Sequence, residues 1–304
     1  MNEPTTLALE SSDVSLFQTL DGVSHPCLIL YSGTEPGRRY DLDRGELLMG
    51  RGNDADVPVD SRDVSRRHAV LIVSPHSVEL RDLGSANCTY VNDVRVIDPL
   101  LLKDGDVVRL ANVVFRFHDR RSLDALLHDR LYRLATVDPG TGVFNRRYAQ
   151  ESLKLELTRS RRTGDPMALI CCDLDHFKSV NDSFGHAAGD LVLKDCAGLL
   201  RSQLRAGDII GRWGGEEFVV LARETTHEQA LVLAERLRVA VADHDFMLPV
   251  AGAANTTVLH RQTLSMGVAV LEPGMIDEHD LIATADRRLY AAKRAGRNCV
   301  VDSD

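Results

Sequence analysis

The hydrophobic period of this chain changes near residue 120, and that change limits the fold more than any other feature. Period two suits a half-buried strand and a period near 3.6 suits an amphipathic helix, so the two parts cannot share one architecture. Upstream, apolar residues come in short runs separated by turns: CLILY, ELLMG, AVLIV, SVELR, VVRL and VVFRF. Several of these alternate, which predicts an all-β sandwich over 23–118. Downstream, strand-like runs (MALICCDLD, TLSMGVAVL) alternate with helical patterns (AAGDLVLKDCAGLLRSQL, HEQALVLAERLRVAVADH, LIATADRRLYAAKRAG). That predicts an α/β or α+β domain over 138–304. In DIIGRWGGEEFVVLA, two strands joined by a Gly-Gly turn read as a hairpin. Between the halves, Leu123, Leu126, Leu127, Leu131 and Leu134 recur at three- and four-residue steps. Residues 119–137 therefore read as a linker helix with one apolar stripe, which packs on its own domain or pairs with a second copy. Residues 1–22 are polar and aperiodic and read as a flexible N-terminal tail.

At 304 residues the chain is long enough for two cores. Its net charge of -9 argues against a protein that coats nucleic acid, but a nucleotide substrate needs only a few cations. No apolar run approaches the roughly 20 residues of a membrane helix, and the N-terminus lacks a basic segment followed by an apolar one. The six cysteines form no CxxC pair and read as free thiols in a reducing compartment. The expectation is a cytoplasmic protein with no membrane and no nucleic-acid partner.

The chemistry concentrates downstream. MALICCDLD ends an apolar strand in Asp173 and Asp175, and WGGEEF places Glu216 and Glu217 just after a tight turn. Carboxylates converging from a strand end and a hairpin suit a hard cation bound beside phosphates. Lys178 follows the acids, with a Gly-rich turn and then a helix beginning near Ala187. Lys293 and Arg297, four residues apart, are spaced to hold a polyphosphate from one helix face or its end. Singly, each of these groups would be a solvated surface charge.

Together, DPGTGVFNRR (138–147), DLDHFKSVNDSFGHAAGD (173–190), RWGGEEF (212–218) and ADRRLYAAKRAGRN (285–298) resemble the GGDEF family of bacterial diguanylate cyclases. The resemblance implies a ferredoxin-like nucleotide-cyclase palm that condenses two GTP into cyclic di-GMP and two pyrophosphates, as a homodimer. It implies Mg²⁺, or Mn²⁺ in its place, on Asp173, Glu216 and the Leu174 carbonyl. Glu217, Glu216 and Lys178 stand in catalytic positions. Asn181 and Asp190 resemble the guanine readers, and a carboxylate can accept from guanine N1–H and its 2-amino group together, which adenine cannot offer. His176, Phe177, Lys178, Lys293 and Arg297 resemble the phosphate contacts. Arg205 and Asp208 match the family's RxxD inhibitory product site, with Arg236 and Arg159 as secondary contacts. Glu216 stands where the family name has Asp, a variant with the same ligand chemistry on a longer arm. The rival reading is a catalytically silent cyclic di-GMP receptor or adaptor, which the intact set of acids and cations disfavours.

Upstream, Gly50-Arg51, Ser65-Arg66-Arg67-His68, Asp82 to Asn87 and Thr89 to Asn92 resemble a forkhead-associated (FHA) domain, a phosphothreonine-binding β-sandwich. By position, Arg51, Ser65, Arg66 and Asn87 would contact the phosphopeptide, and His68 would brace the loops. Cys88 and Asp93 replace glycines of the usual turns, and Ala86 stands where related domains often carry a hydroxyl. The implied ligand is a phosphothreonine in the chain's own tail (Thr5, Thr6 or Thr19) or in a partner protein, and its binding would regulate the cyclase.

Overall fold

The structure, a computed structural model, describes residues 25–33, 36–43, 45–52, 54–120, 122–205, 207–249 and 257–303. The predicted tail and its threonines lie outside the described residues. Contacts divide the chain into two units, Met1–Tyr132 and Arg133–Asp304, each with its own core.

The first unit is a sandwich of β1 (Cys27–Ser32), β2 (Arg39–Asp41), β3 (Gly45–Gly50), β4 (Val57–Pro58), β5 (Ala69–Val73), β6 (Val78–Asp82), β7 (Thr89–Val91), β8 (Val94–Arg95), β9 (Leu100–Leu101), β10 (Val107–Leu110) and β11 (Val113–His118). One sheet runs β2-β1-β11-β10-β7-β8 and the other β4-β3-β5-β6-β9. Their inward residues, among them Leu28, Leu71, Leu80, Leu110 and Phe115, form one core, as period two requires. All six apolar runs singled out in the sequence lie on strands.

Helix α1 (Leu123–Thr136) follows. Its start is fixed by Ser122, whose hydroxyl accepts from Ala125 N–H (3.4 Å) and meets His118 Nδ1 (2.8 Å). Ala125 is buried against Cys27 and Ile29. Of the predicted stripe, Leu123, Leu127, Leu131 and Leu134 are exposed. Ala125 anchors the helix and Leu126 is half-buried, while the other four leucines remain uncovered in the single chain.

The second unit contains α2 (Arg146–Thr163), β12 (Met167–Leu174), α3 (Phe177–Phe184), α4 (His186–Ser202), β13 (Ile209–Gly214), β14 (Glu217–Arg223), α5 (His227–Ala242), β15 (Phe246–Pro249), β16 (Thr257–His260), β17 (Leu264–Val270), α6 (Glu278–Arg294) and β18 (Val300–Val301). The central sheet runs β13-β14-β12-β17-β18, antiparallel except for the last pair. The βαββαβ order of β12, α3–α4, β13, β14, α5 and β17 is the ferredoxin-like arrangement. Strand β12 is buried along its whole length. Ala168, Ile170 and Cys172 join one core cluster, and Met167, Leu169 and Cys171 join another. Layers on both faces explain why MALICC shows no alternation.

Three features differ from the sequence reading. Phe177–Phe184 is a helix rather than a Gly-rich turn, because Phe177 and Val180 are buried on one side of it and Gly185 (φ 84°) ends it. Helix α2 and the β15–β16 hairpin do not stand out in the sequence pattern. The first has a strongly polar sequence, RRYAQESLKLELTRSRRT, that dilutes its buried stripe of Ala149, Leu153 and Leu157. The second buries only Phe246 and Leu248.

Candidate active site

The palm sheet delivers its acids to one end. Asp173, at the end of β12, is 7% exposed. It stands directly across from Glu217 on β14 and Ser265 on β17. Cross-strand neighbours point to the same face, so Asp173 and Glu217 project together. Lys293 Nζ lies 2.6 Å from Asp173 Oδ2. Burial raises the Asp173 carboxyl above its ordinary value, with Glu216 and Asp175 adding to the rise and Lys293 opposing it. Glu217 is raised too, by desolvation first and then by the charge of Asp173.

Glu216 sits in the two-residue turn between β13 and β14, after Gly215 (φ 49°). Gly214 is the last residue of β13, so only one of the two glycines adopts the left-handed backbone. Arg212, which the sequence reading missed, fixes this turn. Its Nε donates to the Gly215 carbonyl (2.9 Å) and its Nη1 reaches Asp138 Oδ1 (3.1 Å). The RWGG sequence was the available signal. Leu174 N–H donates to the Glu216 carbonyl (3.3 Å), tying the turn to the end of β12.

Helix α6 carries the cations. It packs so closely on β17 that a Cβ on Gly267 would stand 2.1 Å from the Ala285 carbonyl oxygen. Lys293 occupies its last turn, but Arg297 lies beyond the helix end with φ 64°. The two therefore do not share one helix face, and Arg297 is presented from a left-handed turn. Asp175 also departs from expectation. It is 4% exposed, and its carboxylate accepts from Ser265 Oγ (2.6 Å), Thr263 Oγ1 (2.7 Å) and Asn298 N–H (3.0 Å). With its oxygens occupied, Asp175 is not one of the converging open carboxylates.

Past Asp175, His176 is exposed with φ 55° at the start of α3, Phe177 is buried, and Lys178 is exposed. Lys178 and Arg297 carry no ion pair among the described residues. Asn181 Oδ1 packs where a Cβ on Gly189 would be, 2.0 Å away, so Asn181 on α3 abuts Gly189-Asp190 on α4. Asp190 is exposed.

Arg205 N–H donates to Asp208 Oδ2 (3.1 Å), closing a short turn before β13. Arg236 Nη2 reaches the Gln203 carbonyl (2.7 Å), so α5 brings a second guanidinium close to that turn. Arg159 is engaged with Glu156 (3.6 Å) and Glu224 (2.9 Å).

In the sandwich, the loops after β3, β4 and β6 meet. Arg51 N–H donates to the Ser65 carbonyl (3.1 Å), Ala86 N–H to Ser65 Oγ (3.2 Å), and Asn87 Nδ2 to the Asp63 carbonyl (2.7 Å). Buried His68 accepts from Ser65 N–H at Nδ1 (3.1 Å) and faces the Cys88 carbonyl at Nε2 (3.2 Å). The accepting Nδ1 fixes the proton on Nε2, and burial holds this ring below the usual histidine value. Asp82 accepts from Gly84 N–H, Ser85 N–H, Ser85 Oγ and Thr89 Oγ1. Burial pushes its carboxyl up, but these donors outweigh burial and hold it low. Arg51 and Arg66 are exposed and carry no ion pair among the described residues. Cys88 (φ 57°) and Asp93 (φ 62°) adopt the backbone that glycine favours. The two substituted turns thus keep their shape at the cost of strain.

A sequence model of the diguanylate cyclase GGDEF domain matches residues 135–299, more than half of the chain. The chain belongs to the GGDEF family. A model of the FHA domain matches residues 47–111, so this GGDEF protein carries an FHA domain in front of its palm. It is 41% identical over 183 residues to diguanylate cyclase DgcP of Pseudomonas aeruginosa, covering 59% of this chain and 26% of that protein. It is 37% identical over 215 residues to the response regulator PleD of Caulobacter vibrioides, covering 69% of this chain and 45% of that protein. The chain therefore spans less than half the length of these relatives. Among solved structures, the coiled coil and GGDEF domain of DgcB from Caulobacter crescentus, in complex with c-di-GMP, is similar at 30% identity and TM-score 0.54. That match covers 60% of this chain and 92% of DgcB's. Diguanylate cyclase SiaD, in complex with its activator SiaC from Pseudomonas aeruginosa, is similar at 35% identity and TM-score 0.51. It covers 59% of this chain and 67% of SiaD's. No described helix is long and apolar enough to cross a membrane.

Proposed function

We propose that this chain is a diguanylate cyclase whose reaction is attack of a ribose 3′-hydroxyl on the α-phosphate of a second GTP, expelling pyrophosphate. The observation that carries this reading is the desolvated Asp173 carboxyl, set across from Glu217 and held against Lys293. An acid raised by burial and left with one cation is poised for a second positive charge. Among the described residues no group of three or more His, Cys, Asp or Glu is set to hold a metal. The carboxylates present, Asp173 at the end of β12 and Glu216 in the turn tied to that strand end, fit Mg²⁺, or Mn²⁺ in its place, because such an ion takes one or two carboxylates and completes its shell with water and phosphate oxygens. Asp173, Glu216 and the Leu174 carbonyl would hold it, with Glu217 close enough to Asp173 to share the task. When bound, it would supply neutralisation of phosphate charge and a lower hydroxyl pKa.

The chain's own residues do the remaining work. Asn181 and Asp190 select guanine, and Lys178, Lys293, Arg297 and the backbone around His176 and Phe177 grip the phosphates. Each site takes one GTP, so two chains face each other for turnover, and the uncovered leucines of α1 are available to pair them. Arg205, Asp208 and Arg236 form a product-inhibition site, with Arg159 as an outer contact. Arg51, Ser65, Arg66 and Asn87 read a phosphothreonine that regulates the enzyme.

The test is incubation of the purified protein with GTP and Mg²⁺ beside a Glu216→Ala/Glu217→Ala variant, with products resolved by chromatography. Cyclic di-GMP from the parent alone is expected. No product from the parent, even in a forced dimer, would overturn the cyclase reading in favour of a receptor.

A further inference from the structure

The turn after α6 is backbone that side-chain-bearing residues avoid. Gly296, Arg297 and Asn298 have φ of 113°, 64° and 46° in succession. Asn tolerates the left-handed region and Arg does not, so Arg297 stays there only because its surroundings impose it. The next residue is gripped at both ends. Asn298 N–H donates to the buried Asp175 carboxylate (3.0 Å), and Asn298 Oδ1 accepts from Arg238 Nη1 of α5 (2.8 Å). Arg297 N–H returns to the Ala292 carbonyl (3.1 Å), binding the same turn to α6. Ser265 and Thr263 also donate to Asp175 and tie it to β17 and the loop before it.

Asp175 lies two residues from Asp173, whose own partner Lys293 precedes this turn by one helical turn. One strand end thus sets the acid that meets the substrate's metal and, through Asn298, the turn that presents Arg297. We propose that Asp175 and Arg238 are positioning residues: they lock the Arg297–Asn298 turn left-handed and so aim Arg297, beside Lys293, at the terminal phosphates of GTP. This rests on the reading of Lys293 and Arg297 as phosphate contacts. It assigns the second acid of DLD to the phosphate grip rather than to the metal.

The experiment measures binding of a non-hydrolysable GTP analogue and of GMP to the full chain by calorimetry, with steady-state kinetics on GTP and Mg²⁺. Arg238→Ala and Asn298→Val are expected to weaken the analogue about tenfold, the scale of one charge-assisted hydrogen bond, and to leave GMP binding unchanged. KM should rise more than kcat falls. Asn298→Asp, which keeps an acceptor for Arg238 and tolerates the same left-handed backbone, should recover most of the loss caused by Asn298→Val. Asp175→Asn should act in the same direction, since its amide cannot accept from all three donors. If burial makes that variant unfold, Arg238→Ala and the Asn298 pair still decide. Equal weakening of analogue and GMP, or no change in either, would overturn the proposal while the cyclase reading stood. Failure of the parent to bind the analogue at all would overturn both.

Discussion

The loop end of the sandwich and the carboxylate end of the palm sheet each hold a key acid, and the two are treated in opposite ways. Asp82 accepts four hydrogen bonds from Gly84, Ser85 and Thr89, which outweigh burial and hold its carboxyl low. Asp173 is desolvated with Lys293 beside it and is held high. The saturated acid is a brace for a loop, and the unsaturated one is a receptor for positive charge. Asp175, two residues from Asp173, follows the Asp82 pattern with three donors. Counting donors on each carboxylate therefore separates scaffold from site within a single DLD sequence.

The largest expected effect is at Asp173. Asp173→Asn should lower cyclic di-GMP formation by about 10³-fold or more, as loss of a group that holds developing charge does. The same change removes a carboxylate that folding desolvates, so the melting temperature of the unliganded variant should not fall. A clear drop would mean that Asp173 is a brace like Asp82, and the contrast would collapse.

Next is His68→Ala, which deletes a buried ring and orphans the Ser65 N–H and the Cys88 carbonyl. We expect a loss of about 3 kcal/mol by denaturant unfolding and no binding of a phosphothreonine peptide. Smaller still are Cys88→Gly and Asp93→Gly. Each relieves a left-handed non-glycine residue at the cost of a more flexible unfolded chain, for a net gain of about 0.5–1 kcal/mol in thermal melts.

The subtlest test is pH. In the sandwich, Asp82 and His68 are held below their ordinary values, so their stabilisation is present above those values and is lost as pH falls through the lowered ones. In the palm, Asp173 and Glu217 are held above the ordinary carboxylate value, so theirs is full below that value and is lost as pH rises through the raised ones. Calorimetry of the unliganded chain from pH 7 to 5 should show the sandwich transition moving down through His68, because Asp82 titrates only below its ordinary 3.8, and the palm transition moving up. Asp173→Asn should blunt the second shift. A palm shift unchanged by Asp173→Asn would show that this acid is not its source.

Much of this was legible in the residues. Every apolar run of the sandwich became a strand, and Glu217, Asp173 and Lys293 converge at the sheet end as the four downstream segments implied. What was not legible depends on packing. Helix α2 was hidden because most of its surface is solvated, and its buried positions are recognisable only once β13 and α6 lie against them. Arg212 looked like one residue of a hairpin, yet its guanidinium spans from Asp138 to the Gly215 carbonyl.

The sequence alone determined the two-part architecture, because hydrophobic period decides strand or helix locally, without reference to distant residues. It also determined which acids and cations were available for chemistry. Only the tertiary structure decided which of them are free. Asp173 and Asp175 are the same residue type on one strand end, and nothing in DLD tells them apart. Hydrogen-bond donors from Thr263, Ser265 and Asn298, about 90 and more positions away, fill one carboxylate and leave the other for a cation. Whether an acid is a brace or a site is set by who else is buried beside it, and that is a property of the folded chain.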